Sequence, residues 1–369
     1  MKAIYTNSRL SGLLTAVSIY MLSGCMSTAK IQVIEPAAIT LPKDIDTIAV
    51  ANRFLTNNDY NTANYSINAA FGDEHSFNKE ASDSCVSTLM QILGKSPRFK
   101  DIDIKQELFR TGNDFFAPPL LPVEVTELCR AFKIQALVVL DGFHTNSSVN
   151  TQMSSRQVAY RTSYISNGQT FYQTNYRTEY YYTGTMQVFY SIGFRLYHGG
   201  DGSIVDEYRF DDHLTYSSTS STSNVAISLL PSKRKVIAKI ASHSGDIYAH
   251  RIAPLWKTVK RTYYCTPGKS LAQAHQCIDK KNWNEAKAIW QNLYNTTRSP
   301  GTKGLAAYNL GVACEMNDDL DSAMTWVNKA KDIFTEKGIS DHVVTANKYI
   351  SILNERMAIR EKLIEQMAK

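Results

Sequence analysis

Apolar and polar positions change their period along this chain, and each change predicts a different architecture. Ile45–Asn52, "IDTIAVAN", is an apolar run of strand length. A polar, Asn-rich loop follows at 57–68. Ser76 stands where a helix N-cap belongs, with Glu80 about one turn on, and Val86, Leu89, Ile92 and Leu93 recur at helical spacing. Gly94 ends that helix and "RFKDIDI" returns as a strand. Pro122 opens a second helix carrying Val125, Leu128 and Phe132, and "IQALVVLDGF" at 134–143 reads as the next strand. Strand, helix, strand, helix, strand predicts helices packed on a sheet.

From Val158 the period becomes two. Val158, Tyr160, Thr162 and Tyr164 alternate up to Asn167-Gly168, a dipeptide that favours a tight hairpin turn. Past the turn, Tyr172, Thr174, Tyr176, Thr178, Tyr180 and Tyr182 share one face, and Arg161, Ser163, Gln173, Asn175, Arg177 and Glu179 are read as the other. Met186, Val188, Tyr190, Ile192, Phe194 and Leu196 extend the pattern. After "HGGDG" at 198–202, Ile204, Tyr208, Phe210, Leu214 and Tyr216 continue it. These are long antiparallel strands whose even-numbered face is the candidate for burial. "SSTSSTSN" at 217–224 reads as a flexible polar loop. A helix is expected from about Ser232 to Ile252, and "WKTVKRTYY" at 256–264 as a strand closing the sheet.

The last hundred or so residues change character again, after a boundary at "TPGKS", 266–270. "AAYNLGVACEMNDDLDSAMTWVNKA" (306–330) resembles a tetratricopeptide repeat: Leu310-Gly311 fills its small crossing position, Ala323 the second-helix contact, Val327 the bulky position and Ala330 the final small one. Two helices cross closely only where a side chain is absent or a methyl. A weaker copy carries Ala274, Cys277, Trp283-Asn284-Glu285-Ala286 and Trp290, with Leu293 in place of the final Ala. Ala286 and Ala323 lie 37 residues apart, against a period of about 34. A long helix at 341–367 would cap the stack. The resemblance implies that Tyr308, Asn309, Val312 and Glu315, and His275 of the weaker copy, contact a peptide partner; packing against a neighbouring helix or domain is the competing reading.

Charge and candidate chemistry narrow this picture. Lys233, Arg234, Lys235, Lys239, Arg251, Lys257, Lys260 and Arg261 cluster, and a solvated helix face explains them better than an anionic partner. "TPGKS" is no phosphate loop, since position 263 is Tyr where that motif needs Gly. The eight histidines are scattered, with no HExxH, GxSxG or CxxC pattern. Asp211 and His213 share a strand face, where a hydrogen-bonding cluster is favoured over a metal pair. Nine tyrosines lie between residues 160 and 197. A face with Tyr172, Tyr176, Tyr180 and Tyr182 suits core packing, a protein interface or glycan stacking, in that order. It suits lipid poorly, because Tyr and Thr stand where Leu and Phe belong. No catalytic residue, metal site or cofactor is nominated.

The N-terminus supplies an address. Lys2 and Arg9 precede an apolar stretch, Leu10–Leu22, too short to cross a bilayer and right for a secretory signal peptide. Leu22-Ser23-Gly24-Cys25 resembles the lipobox of bacterial lipoproteins, which implies cleavage before Cys25 and acylation of its thiol and amine. Met26 and Ser27, in place of Asp, imply delivery to the outer membrane, with the periplasmic face favoured. Loss of residues 1–24 removes Lys2 and Arg9 and lowers the formal charge from +6 to +4, too mild to argue for nucleic acid. Of the six cysteines, Cys85, Cys129, Cys265, Cys277 and Cys314 remain. Their odd number leaves one unpaired in a monomer. Cys265 and Cys277 sit at opposite ends of a predicted helix and cannot be bridged.

The lipobox, the first domain and the repeats together resemble a family of Gram-negative envelope lipoproteins with tetratricopeptide repeats. "IDTIAVAN", "GKSPRFKDI", "IQALVVLDGF" and "FRLYHGGDGSIVDEY" are also distantly similar to the fold shared by curli-secretion lipoproteins and lipoprotein activators of penicillin-binding proteins. The expectation is α+β. A signal peptide spans 1–24, a lipidated tether 25–43, a mixed α/β domain with long antiparallel hairpins 44–265, and a tetratricopeptide-like helical domain 269–369. The expected function is a non-enzymatic adaptor on the outer membrane that binds an envelope protein through its repeats. The alternative is an oligomeric accessory subunit of an envelope secretion or export assembly.

Overall fold

The computed structural model describes residues 25–54, 72–108 and 114–368. In chain order its elements are β1 (Met26–Glu35), β2 (Thr47–Asn52), α1 (Gly72–Leu93), β3 (Asp101–Glu107), α2 (Pro122–Phe132), β4 (Ala136–Ser166), β5 (Gln169–His198) and β6 (Ile204–Ser220). They continue with α3 (Ser223–Ser228), α4 (Lys233–Ile252), β7 (Leu255–Tyr264), α5 (Lys269–Asp279), α6 (Trp283–Thr296), α7 (Pro300–Met316), α8 (Leu320–Glu336) and α9 (Ser340–Met367). The fold is α+β: a mixed α/β region with antiparallel strands, then an all-helical region. By contacts the chain divides into a mixed unit, 37–253, and a second unit that joins residues 25–36 to 254–368. The stretches read as a signal peptide, 1–24, and as an Asn-rich loop, 57–68, lie outside the described residues.

In the mixed unit a five-stranded sheet runs β3-β2-β4-β5-β6. β2 lies parallel to β3 and β4, whereas β4, β5 and β6 are antiparallel. Helices α1 and α4 cover one face. Val138, Leu140, Ile192, Phe194 and Leu196 are fully buried beneath them, and the rings of Phe194 and Tyr248 stack 4.2 Å apart. Each such side chain withdrawn from water contributes about 2 kcal/mol. The other face carries α2, with Val125 and Cys129 against Ala49, Ala51, Leu137, Val139 and Tyr197. A bulge at Asp141 shifts the β4–β5 register between Leu140 and Gly142, so residue parity on β4 inverts beyond it. α1 begins at Gly72, so Ser76 sits inside the helix and is not its cap. The stretch read as a polar loop at 217–224 instead finishes β6 and starts α3.

The second unit corrects two expectations. Residues 26–35 are no tether: all ten pair antiparallel with β7, and Ala29, Ile31 and Val33 are buried. For the same reason β7 does not close the mixed sheet; among the described residues its ladder partner is β1 alone. The helices pack each against its chain neighbour, α5 to α9 in order. Gly311 is the close crossing: a Cβ there would collide with Val327 and lie 3.2 Å from the carbonyl oxygen of Ala323. Trp290, Ala323, Val327, Ala330 and Phe334 are all fully buried.

Candidate functional site

The outer parts of β4 and β5 form a long exposed feature of the mixed unit. The two strands pair without interruption from Gly142–Gly193 to Ser166–Gln169. They are closed by Asn167 and Gly168, both at positive φ as a two-residue hairpin turn requires. β6 stops pairing at Tyr182–Ser220, and α3 seats on Gly184, where a Cβ would lie 3.1 Å from the Ala226 carbonyl. Beyond that point, among the described residues, the hairpin is a two-stranded arm. Thirteen residues from Gln169 to Tyr181, at about 3.4 Å each, carry it roughly 44 Å past its sheet.

Tyr172, Tyr176 and Tyr180 are 71%, 69% and 62% exposed, and Tyr182, at the root of the arm, is half-buried. The even-numbered face is therefore buried from Gly184 to Leu196 and is open along the arm. The assignment of faces across the turn also changes. A two-residue turn pairs Ser166 with Gln169, so odd positions of β4 share a face with even positions of β5. Tyr172 faces Ser163, Tyr176 faces Ala159, and Tyr180 faces Ser155. Each ring thus stands beside a small side chain, with four residues, about 14 Å, between rings. The opposite face is polar: Arg156 and Arg177 grip Glu179 at 3.2 and 2.6 Å, Asn175 donates to Thr162 at 2.8 Å, and Tyr164 stacks on Phe171 at the tip.

Cys25 is exposed and its thiol is free. Its backbone is not loose: the amide donates to Thr266 Oγ1 at 2.8 Å and the carbonyl accepts from the Cys265 amide at 3.0 Å. Cys25 thus extends the β1–β7 ladder and lies opposite Cys265. Cys85 and Cys129 are buried, as small apolar side chains are, and burial pushes both thiols up, that of Cys129 to about 11. Cys277 and Cys314 are buried too, and Cys265 is half-buried; all are free thiols.

The partner-contact positions drawn from the repeat resemblance are not presented to solvent. Tyr308, Asn309, Val312 and Glu315 are each 2% exposed or less. The surface they would offer is filled by β7. Asn309 accepts from the Tyr264 amide at 2.8 Å and donates to its carbonyl at 2.7 Å, holding that strand as a bound peptide would be held. Arg261 forks onto Glu315 through two 2.8 Å bonds, joined by Arg356 at 3.0 Å and the Tyr349 hydroxyl at 2.5 Å. Burial pushes the Glu315 carboxyl up, but these three donors overrule it and hold it below the usual carboxylate range. His275 is half-buried and bonds the Tyr263 hydroxyl at 2.6 Å. The competing reading of these residues, internal packing, is the one their burial and partners favour.

Two further polar clusters are engaged within the mixed unit. Asp211 and His213 do share a face, with His144, Ser191 and Phe189, in a shallow cleft of about 350 Å³. Asp211 is engaged by Arg209 at 2.8 Å and by Ser191, and His213 stacks on Phe189. Among the described residues no group of three His, Cys, Asp or Glu side chains is placed to hold a metal ion. Buried Asp141 binds Arg195 at 2.8 Å and Arg53 at 3.3 Å, a cluster that no local pattern signals because its members are 54 and 88 residues apart. Four of the eight clustered basic residues are held in ion pairs: Arg234 with Glu80, Arg251 with Asp206, Lys257 with Glu35, Arg261 with Glu315. No helix among the described residues is long and apolar enough to cross a membrane.

Fold and site together define a two-unit α+β protein: a mixed sheet with a protruding tyrosine-lined arm, and a helical unit closed on its own strands. Residues 45–264, more than half of the chain, match the family described as Domain of unknown function (DUF8603), and the chain belongs to that family. Residues 272–355 are similar to a second family, Domain of unknown function (DUF6340). The first match ends on the last residue of β7, a strand that folds with the helices. No curated protein matches the chain.

Proposed function

We propose that this protein is a non-enzymatic lipoprotein of the cell envelope, anchored to the outer membrane through Cys25 and facing the periplasm, that holds other envelope proteins. The lipobox-like Leu22-Ser23-Gly24-Cys25 and the exposure of Cys25 support the anchor. Three acyl chains, each contributing about 0.8 kcal/mol per buried CH₂, make attachment durable. The contact surface is the arm, and the observation that carries this is the exposed series Tyr172, Tyr176 and Tyr180. Tyrosines are rigid, amphipathic and enriched where protein interfaces concentrate their binding energy. The concave helical positions are withdrawn from this role because β7 occupies them.

The test is photocrosslinking in intact envelopes from a probe at Ala159, beside Tyr176. The full chain is expected to yield discrete crosslinked species. The variant Tyr172→Ser/Tyr176→Ser/Tyr180→Ser should lower their yield at least about tenfold, since interface tyrosines often contribute about 2 kcal/mol. Crosslinks indifferent to all three changes would remove the arm as the contact surface. A second reading, a subunit of an export assembly in which the mixed unit self-associates, is favoured by the open edges of the same arm.

A further inference from the structure

We propose that the arm pairs edge to edge with the arms of other copies of this chain, β5 of one beside β4 of the next, so that the ribbons build a continuous antiparallel sheet. The inference rests on the reading of the arm as a contact surface and identifies its occupant. An isolated two-stranded ribbon is at best marginally stable in water. Here one extends over thirteen paired positions, Ser154–Tyr181 to Ser166–Gln169, with both long edges unpaired among the described residues. Such edges template further strands unless they are guarded by Lys, Pro, bulges or inward charges.

This chain guards its other edges and leaves the arm bare. β6, the edge of the mixed sheet, carries Asp206, Glu207, Arg209, Asp211 and Asp212 within seventeen residues. The β1–β7 pair carries Lys30, Lys257, Lys260 and Arg261. The thirty positions from Met153 to Tyr182 hold no Lys and no Pro, no bulge, and only Arg156, Arg161, Arg177 and Glu179 as charges.

A second copy fits better than a foreign strand for two reasons. The ribbon has two open edges of equal length and opposite direction; one foreign strand covers a single edge, whereas successive copies cover both. Arg156 also lies level with Glu179 in the ladder. In-register pairing therefore sets Glu179 of one copy beside Arg156 of the next, opposite charges facing. Pairing of β5 with a neighbour's β4 is head-to-tail, so it closes a ring or runs on as a filament. Neither face of the arm carries an apolar band, so the sheet belongs in water and not in lipid.

The two-residue turn makes Ser166–Gln169 a hydrogen-bonded pair, and alternation along the ladder then turns the amides of Thr174 and Thr178 outward. Proline at these positions removes outward donors and spares the internal ladder. Thr174→Lys/Thr178→Lys keeps every backbone donor and adds guarding charges, which covers the case that the proline variant misfolds. The full chain, extracted from its membrane in mild detergent, would be sized by chromatography with light scattering. The unmodified protein is expected at a multiple of the chain mass, both Thr174/Thr178 variants at a single copy, and the control Thr215→Lys/Thr219→Lys on β6 at the original multiple. An unmodified chain that sizes as one copy at every concentration, or a multiple that survives both variants, overturns the inference. A single-copy chain that still gives Tyr-dependent crosslinks to a foreign protein overturns it too, and leaves the proposed function standing. Assembly through Thr174 and Thr178 without any foreign crosslink sustains the inference and sinks the adaptor reading.

Discussion

Glu315, His198 and Gly311 each show one residue whose role is set by what surrounds it. Glu315 is kept out of water by Arg261, Arg356 and Tyr349. Removing one partner of a buried pair leaves the others uncompensated, so Glu315→Ala is expected to cost roughly 3 kcal/mol in urea unfolding. His198 behaves oppositely with pH. Its Nε2 contacts Asp44 at 2.8 Å and its Nδ1 contacts Asp201 at 3.0 Å. Asp44 raises the imidazole, burial opposes, Asp201 adds, and the net direction is up. A raised histidine stabilises fully below its unfolded value of about 6.5 and loses that contribution as pH rises through the folded value. The melting-temperature gap between the unmodified chain and His198→Gln should therefore be largest near pH 5.5 and shrink as pH rises past the unfolded value of about 6.5; a gap independent of pH would contradict this. Gly311 has no room for a side chain beside Val327. Gly311→Val should destabilise by about 1–3 kcal/mol, measured by the same urea unfolding.

Among the elements, the arm and β1 make opposite predictions about removal. Deleting 154–181 and rejoining the stubs through Asn-Gly leaves intact the buried positions of β4 and β5, which end near Met186. The melting temperature should hold while self-association disappears; a folded unit that needs the arm for stability would show a large fall instead. β1 is the reverse case. Ala29, Ile31 and Val33 are buried along a strand whose ten residues all pair with β7. Ile31→Ala should cost about 2–4 kcal/mol, read from denaturant midpoints. A tether would tolerate the change.

For the whole molecule, the proposed address and the architecture meet at Cys25. Its position at the end of the β1–β7 ladder places any acyl chains directly against folded structure, with no flexible spacer between. Mass spectrometry of the native protein should find Cys25 as an acylated N-terminal residue and Cys265 as a free, alkylatable thiol. Because Cys265 lies opposite Cys25, a Cys25–Cys265 disulfide in native material would show an unacylated thiol and defeat the lipoprotein reading. Cys25→Ser should release the chain from sedimented membranes into the soluble fraction.

Much of the fold was legible because local period reports local structure. The strands at 134–143 and 186–196, the helix at 232–252, the Asn167-Gly168 turn and the small crossing residue Gly311 each leave a signal within a few residues. Three buried alternating positions in β1 were too few to stand out from a tether. Parity across the hairpin depended on counting the turn as two residues. What only the tertiary structure decided is pairing between distant segments: that β7 finds β1 and not the mixed sheet, that Tyr264 fills the place by Asn309, and that Asp141 gathers Arg53 and Arg195. The physical reason is that sequence pattern states which face of an element is apolar, while the partner that covers that face is selected by the free energy of the whole chain.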